Sequence, residues 1–189
     1  MVGATESPAT VRRALPSDAL AIGKLHVLAW QWAYRGLMPD QLLDGLSETL
    51  ERRVELRRAD LAAEPAEQRT WIVEQRRRGR GRRRVVGFAI TRPSRDADAA
   101  PKTGEVGAIY LAPEVVGTGV GRVLFASAVD DLRQRGYVQA TLWVLDTNLR
   151  GRRFYEAAGW APDGATKTQE QPGAPLREVR YRMQLIEGA

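Results

Sequence analysis

The stretch PEVVGTGVGRVLF, from Pro113 to Phe125, sets Gly117, Gly119 and Gly121 at alternate positions and then passes directly into an amphipathic run. Few arrangements fit. Proline ends a strand ladder, glycine admits backbone conformations closed to other residues, and the apolar residues beyond recur at helical spacing. The segment reads as a strand, a glycine turn and a helix. The N–H groups that open a helix lack intrahelical partners and carry about half a positive charge. Bare glycines let an anion reach them. The other reading is a turn kept small for tight packing alone. Two phosphate loops are excluded. A Walker loop needs Gly-Lys-Ser/Thr, whereas Gly121 is followed by Arg122 and Val123; G-x-G-x-x-G fails because Arg122 takes its last glycine.

Around this turn, strand and helix signals alternate. Thr10–Leu15 reads as a short strand, and Pro16, Ser17 and Asp18 as a turn and N-cap. Ile22, Leu25, Ala29 and Trp32 recur at helical spacing from Ala19 to Arg35, and Gly36 stops that helix. Further helices are expected over Met38–Leu46 and, capped by Ser47, over Ser47–Leu61. Strands are expected over Thr70–Gln75, Arg83–Thr91, Gly104–Pro113 and Tyr137–Leu145. The first two of these join as an antiparallel hairpin whose tip is the basic block Arg76–Arg84. The helix after the glycine turn runs to Arg135, with Val120, Val123, Leu124, Ala128 and Leu132 on one side, and a last helix covers Asn148–Gly159. A strand restarts at Trp160, and a Pro-Gly-rich loop follows. The strand Arg177–Leu185 turns Val179, Tyr181, Met183 and Leu185 one way and Arg180, Arg182 and Gln184 the other. The expected fold class is α+β: a mixed, mostly antiparallel sheet with helices on both faces. It forms one domain over residues 1–189, with a core of about 10–186.

Composition narrows the function classes. The chain has no cysteine and a single histidine, His26, so neither a thiolate metal site nor the usual zinc ligand sets can be built, and no metal is expected. His26 reads as structural. The net charge of +6 is concentrated in the Arg76–Arg84 block. Such a block reads first as a solvated loop, and it lacks the interleaved aromatics that stack bases; a nucleic-acid-binding protein is the least favoured reading. No apolar run has the length of a membrane span. MVGATESPAT lacks the basic start and apolar core of a secretory signal. A cytoplasmic protein without a membrane partner is expected.

About thirty residues beyond the glycine turn lies LWVLDTNLRGRRFYEAAGW, Leu142–Trp160. Together the two stretches resemble the GCN5-related N-acetyltransferase (GNAT) family. That family has a loop of the form Arg/Gln-Gly-x-Gly-x-Gly/Ala after a strand, and later an Asn followed by a helix carrying Phe/Leu-Tyr-Glu-x-x-Gly-Phe. The second signature stands here as Asn148, Phe154, Tyr155, Glu156, Gly159 and Trp160. LAWQWAYRGLMPDQLLDGLS is similar to the paired helices that some bacterial members carry after their first strand. Two positions depart: Val116 stands where the family has Arg or Gln, and Gly151 where it has a small Ala.

The resemblance implies a sheet splayed open at a slot for acetyl-coenzyme A. Its pyrophosphate would rest on the N–H groups from Gly117 to Arg122, so Val116, Gly117, Thr118, Gly119, Val120, Gly121 and Arg122 are the expected phosphate site. Arg122, Arg150, Arg152 and Arg153 would add positive charge. Asn148 would cap its helix, contact the pantetheine arm, or both, and backbone N–H groups at Tyr110 and Leu111 would serve the thioester oxygen. The implied activity is acetyl transfer to a primary amine of a small molecule or peptide, by direct attack in a ternary complex. Glu105 is the expected base, directly or through water, with a charged strand end as the other reading. Tyr155 is the expected acid for the departing thiolate. The acceptor would lie against Trp30, Trp32, Tyr34 and Arg35. A non-catalytic coenzyme-A-binding regulatory module is the alternative, and a homodimer paired through a sheet edge is admitted.

Overall fold

The computed structural model describes residues 9–63, 65–76, 81, 83–169 and 175–186. Its strands are β1 (Thr10–Arg13), β2 (Arg69–Arg76), β3 (Arg83–Pro93), β4 (Thr103–Leu111), β5 (Gln139–Leu145), β6 (Ala161–Gln169) and β7 (Leu176–Gln184). They form one sheet in the order β1-β2-β3-β4-β5-β7-β6, with β4 and β5 parallel and every other neighbouring pair antiparallel. The helices are α1 (Ala19–Ala33), α2 (Asp40–Glu48), α3 (Leu50–Ala62), α4 (Val120–Gln134) and α5 (Leu149–Ala157). This is the mixed, mostly antiparallel α+β sheet that the sequence led us to expect.

Side-chain alternation along β3 assigns the helices to faces. Phe88 meets His26 of α1, with ring centroids 5.6 Å apart. Thr91 points the opposite way and donates its hydroxyl to Asp131 of α4 at 2.6 Å. One face therefore carries α1, and the other carries α4. Asp131 is buried and is also paired with Arg69 at 2.5 Å and Arg135 at 3.3 Å, so α4 is pinned to the sheet by charge as well as by packing. The core has two main parts. Ile22, Leu25, Val54, Ile72, Phe88 and Leu124 belong to one, and Phe125, Val129, Leu132, Leu142, Trp160 and Tyr181 to the other. Helix α4 contributes to both and spans the sheet's two halves.

Those halves separate where β4 meets β5. Only Thr103, Gly104 and Glu105 pair with β5, opposite Gln139, Ala140 and Thr141. Beyond Glu105 the rest of β4 stays with β3 and the rest of β5 with β7, so the expected splay is present. A bulge contributes: Ile90 pairs with Ala108 but Thr91 with Val106, which leaves Gly107 as the extra residue. A Cβ at Gly107 would lie 2.8 Å from the Arg92 guanidinium carbon, so only glycine lets Arg92 lie flat there.

Several boundaries differ from expectation. Ser47 does not cap a helix; it lies inside α2, and Thr49 takes the junction with α3, its hydroxyl bonded to the Leu46 carbonyl. Val123 is exposed, so the buried side of α4 is Val120, Leu124, Phe125, Ala128, Val129 and Leu132. Strand β6 runs nine residues and starts after Trp160; Pro162, Asp163 and Gly164 hide it, because it buries neither face and shows no apolar alternation. Arg180, on the polar side of the last strand, is buried and held by Asp96, Asp98 and Asp163. Of the basic block, Arg76, Gly81, Arg83 and Arg84 are described, and Arg84 pairs with Glu114. The rest of that block and the centre of the Pro-Gly-rich loop lie outside the described residues.

Candidate active site

The glycine turn begins where β4 stops. Gly117 and Gly119 take left-handed φ of +85° and +91°, and no atom lies within 4 Å of where a Cβ would stand on either. Part of the turn's hydrogen bonding is internal. The N–H of Thr118 donates to the Val115 carbonyl at 3.3 Å, and those of Arg122 and Val123 donate to the Gly119 carbonyl at 3.0 and 3.3 Å. Among the described residues, the N–H groups of Gly117, Gly119, Val120 and Gly121 have no backbone acceptor. The expected run from Gly117 to Arg122 thus narrows to four donors at the positive end of α4. The side chain of Thr118 is turned inward to the Val115 carbonyl at 2.7 Å, and that of Val120 is buried in the core.

Three of the four donor residues, Gly117, Gly119 and Gly121, line a cavity of about 720 Å³ that runs through the splay between β4 and β5. Val116, Gly117, Gly119, Gly121 and Arg122 line one end; Tyr110, Leu111, Asn148 and Tyr155 line its middle; Glu105 and Trp143 line the far end. The Ala112 N–H bonds the Val86 carbonyl at 2.8 Å, and the Tyr110 carbonyl also faces β3, close to Gly87. Strand alternation then turns the N–H groups of Ile109 and Leu111 into the slot and that of Tyr110 away from it. The expected pair at Tyr110 and Leu111 is therefore corrected to Ile109 and Leu111.

Tyr155 projects from α5 with its ring packed on Phe125 and Phe154. Burial raises its hydroxyl pKa above the ordinary tyrosine value, with Tyr110 adding to the effect. Burial also raises Tyr34 and Tyr110. The three phenols are thus neutral proton holders near neutral pH. Asn148 caps α5, its side-chain oxygen accepting from the Gly151 N–H at 3.0 Å, and it also lines the cavity. Arg152 does not face the cavity. It is drawn to the Tyr181 hydroxyl and the Asp146 carbonyl, both at 3.1 Å. Arg150 does line it and stacks its guanidinium over Trp32 at 4.6 Å.

Of the expected acceptor wall, Trp32 and Tyr34 line the cavity. Trp30 and Arg35 do not. Trp30 packs edge-on against His26 and Tyr34, at 5.3 and 5.2 Å. Arg35 sits on the surface, held by Asp40 and Asp44. His26 lies between Trp30, Phe88 and Tyr110; burial, with Arg57 and Arg53 nearby, lowers its pKa to about 4 and keeps it neutral.

Glu105 is buried on the α1 face of the sheet, opposite Arg92. Arg92 holds it at 2.9 Å, and the Arg95 N–H approaches its other oxygen at 3.3 Å. A second, polar cavity of about 590 Å³ opens there, lined by Arg92, Arg95, Asp96, Asp98, Glu105, Trp143, Lys167 and Arg180. Arg92, Glu105, Trp143 and Lys167 line both cavities, so the slot and the basin meet at Glu105. Sequence reasoning missed Arg92, Trp143 and Lys167. Each lies on a different strand, and their shared face follows only from the strand register.

The model of the acetyltransferase (GNAT) family matches residues 27–160 of the chain. The chain belongs to that family. A Bacillus subtilis protein described as the uncharacterized N-acetyltransferase YuaI is 30% identical over 172 residues, 90% of each chain. Among solved structures, the PaiA N-acetyltransferase of Thermoplasma acidophilum in complex with coenzyme A superposes with a TM-score of 0.66 at 15% identity. It covers 94% of this chain and 99% of that one. The YncA protein of Salmonella typhimurium, solved with its cofactor acetyl-CoA, gives 0.66 at 22% identity and 96% coverage of both. This GNAT chain is accordingly an acyltransferase, and acetyl-CoA is the cofactor of its family. Among its described residues no helix is long and apolar enough to cross a membrane.

Proposed function

We propose that this chain moves an acetyl group from acetyl-coenzyme A to a primary amine by direct attack in a ternary complex. The observation that carries the reading is one continuous path: four unpartnered N–H donors at the head of α4, a slot between splayed strands, and a carboxylate at the far end. The site fits the coenzyme. The open faces of Gly117 and Gly119 admit a diphosphate, with Arg122 and Arg150 on the same cavity adding charge. The N–H groups of Ile109 and Leu111 face a slot where β4 has lost its β5 partner, so an extended amide-bearing arm can pair there as an added strand. When bound, acetyl-coenzyme A supplies an activated acetyl thioester.

The protein's own groups then have distinct tasks. An ordinary alkylamine of pKa near 10.4 is protonated at pH 7, and presenting it neutral costs about 4–5 kcal/mol. Glu105, reached from the polar basin, takes that proton directly or through water. Arg92 fixes its orientation. A backbone N–H aimed into the slot from Leu111 stabilises negative charge developing on an acyl oxygen. Tyr155, kept protonated by burial, holds a proton for the departing sulfur. The acceptor enters from the basin side, against Trp143, rather than against Trp30 and Arg35.

The test is thiol release from acetyl-coenzyme A over a panel of amines, run beside calorimetric titration of the coenzyme. Amine-dependent release, depressed about 10²-fold or more in Glu105→Gln at unchanged coenzyme affinity, is expected. Coenzyme binding without release on any amine would favour the regulatory module.

A further inference from the structure

The polar basin beside Glu105 has its acceptors occupied and some of its donors idle. Glu105 receives Arg92 through both oxygens, at 2.9 and 3.4 Å. Asp98 receives Arg180 through both oxygens, at 2.6 and 2.7 Å. Asp96 accepts Arg180 at 3.1 Å and the Trp143 indole N–H at 2.9 Å. Every carboxylate lining the basin is thus engaged by a guanidinium of the same basin. A ligand ammonium or guanidinium would therefore meet carboxylates whose charge is already offset.

The cations differ. Arg95 is exposed on the loop between β3 and β4, and its guanidinium has no hydrogen-bond or ion-pair partner among the described residues. Lys167 reaches Glu178 only at 3.4 Å, on an oxygen that also accepts from Gln169 at 2.9 Å. Otherwise its ammonium rests over the Trp143 ring, 4.1 Å from the centroid, at the border of both cavities. Two side chains with unused donors therefore flank the basin whose third wall is Glu105.

We propose that the acceptor amine carries a carboxylate, held by Arg95 and Lys167 while its amine faces Glu105. This rests on the acetyl-transfer reading and specifies its substrate class: amino acids, or larger molecules presenting an amine and a carboxylate together. The charge-assisted contact sets orientation as well as affinity, because a guanidinium receives a carboxylate in a fixed fork geometry. It also disfavours simple polyamines, which bring no carboxylate to Arg95 and Lys167.

The experiment compares each standard L-α-amino acid, β-alanine and γ-aminobutyrate with its own carboxamide. Two readouts are taken: thiol release with acetyl-coenzyme A, and calorimetric binding to the coenzyme-A-loaded protein. For the accepted compounds the carboxylate is expected to be preferred about tenfold or more in kcat/KM or in Kd. The preference should shrink with added salt and vanish or invert in an Arg95→Glu, Lys167→Glu double variant. Arg95 and Lys167 lie on an exposed loop and an exposed edge strand, so a folded variant is expected and its melting curve checks this. Equal use of the carboxamides, a carboxylate preference unchanged in the double variant, or no binding of any acid overturns the proposal. The two readings fail separately. Thiol release blind to the carboxylate sinks the substrate class and keeps acetyl transfer. Charge-selective binding with no thiol release does the reverse.

Discussion

Replacing Tyr155 by Phe separates the chemistry of this site from its fold. The Tyr155 ring centroid lies 5.5 Å from Phe125, 5.4 Å from Phe154 and 6.1 Å from Tyr181, contacts that a phenylalanine ring retains. The hydroxyl is hydrogen-bonded to no described residue and borders the slot. Its loss should therefore change stability by less than about 1 kcal/mol, a melting shift of no more than roughly 2–4 °C for a chain of this size. Turnover should fall much further. A positioned acid contributes about 10²–10⁴-fold, so a loss of about 10² or more in kcat is expected at unchanged coenzyme Kd. The pH dependence sharpens the test. Burial raises the Tyr155 pKa above the ordinary value near 10, so the wild-type hydroxyl stays protonated between about pH 6 and 9. The defect should be flat across that range. Initial rates of thiol release at saturating substrates, calorimetry and a melting curve together decide it. A Tyr155→Phe protein with wild-type kcat, or one whose loss of rate is matched by lost coenzyme affinity, refutes the assigned role.

Three further outcomes are expected. Gly119→Ala places a Cβ on a residue at φ +91°, which costs about 1–2 kcal/mol, and Gly119→Glu, which sets a negative charge at the four donors, should abolish coenzyme binding by calorimetry. Asp131→Ala leaves Arg69 and Arg135 without their buried partner and should destabilise by about 3–5 kcal/mol, lowering the melting temperature by roughly 6–20 °C. His26 has a folded pKa of about 4 against an ordinary 6.5, so the unfolded chain binds its proton first as pH falls. Its contribution is therefore complete above about pH 6.5 and is lost as pH falls toward 4, about 1.4 kcal/mol per unit. Denaturant titrations of wild type and His26→Leu should show that slope in the first and not in the second.

The local parts of this site were legible because their signals are local. Glycines at alternate positions before an apolar helical run specify the turn at the head of α4, and Asn148 before Phe154 and Tyr155 marks the start of α5. What pairing assembles was not legible. Arg92, Glu105, Trp143 and Lys167 sit on four strands, and only the register β3–β4–β5–β7–β6 puts them on one face. Trp30 and Trp32 illustrate the limit within a helix. Two residues apart, they point to different sides of α1, so one joins the aromatic packing and the other borders the cavity. Alternation along the last strand set Arg180 beside Arg182 and Gln184 without showing that it is buried. The aspartates that bury it come from the 94–102 loop and from β6, which no periodicity reveals.

The three-residue join between β4 and β5 has a mechanical consequence. Each half of the sheet has its own hydrophobic nucleus, and the main protein element seated on both is α4, which also presents the four free amides. A ligand threaded between the strands supplies the missing rungs of the ladder and closes the seam. Occupancy should therefore protect β4 and β5 amides together against hydrogen exchange, coupling the two halves of the sheet into one cooperative unit.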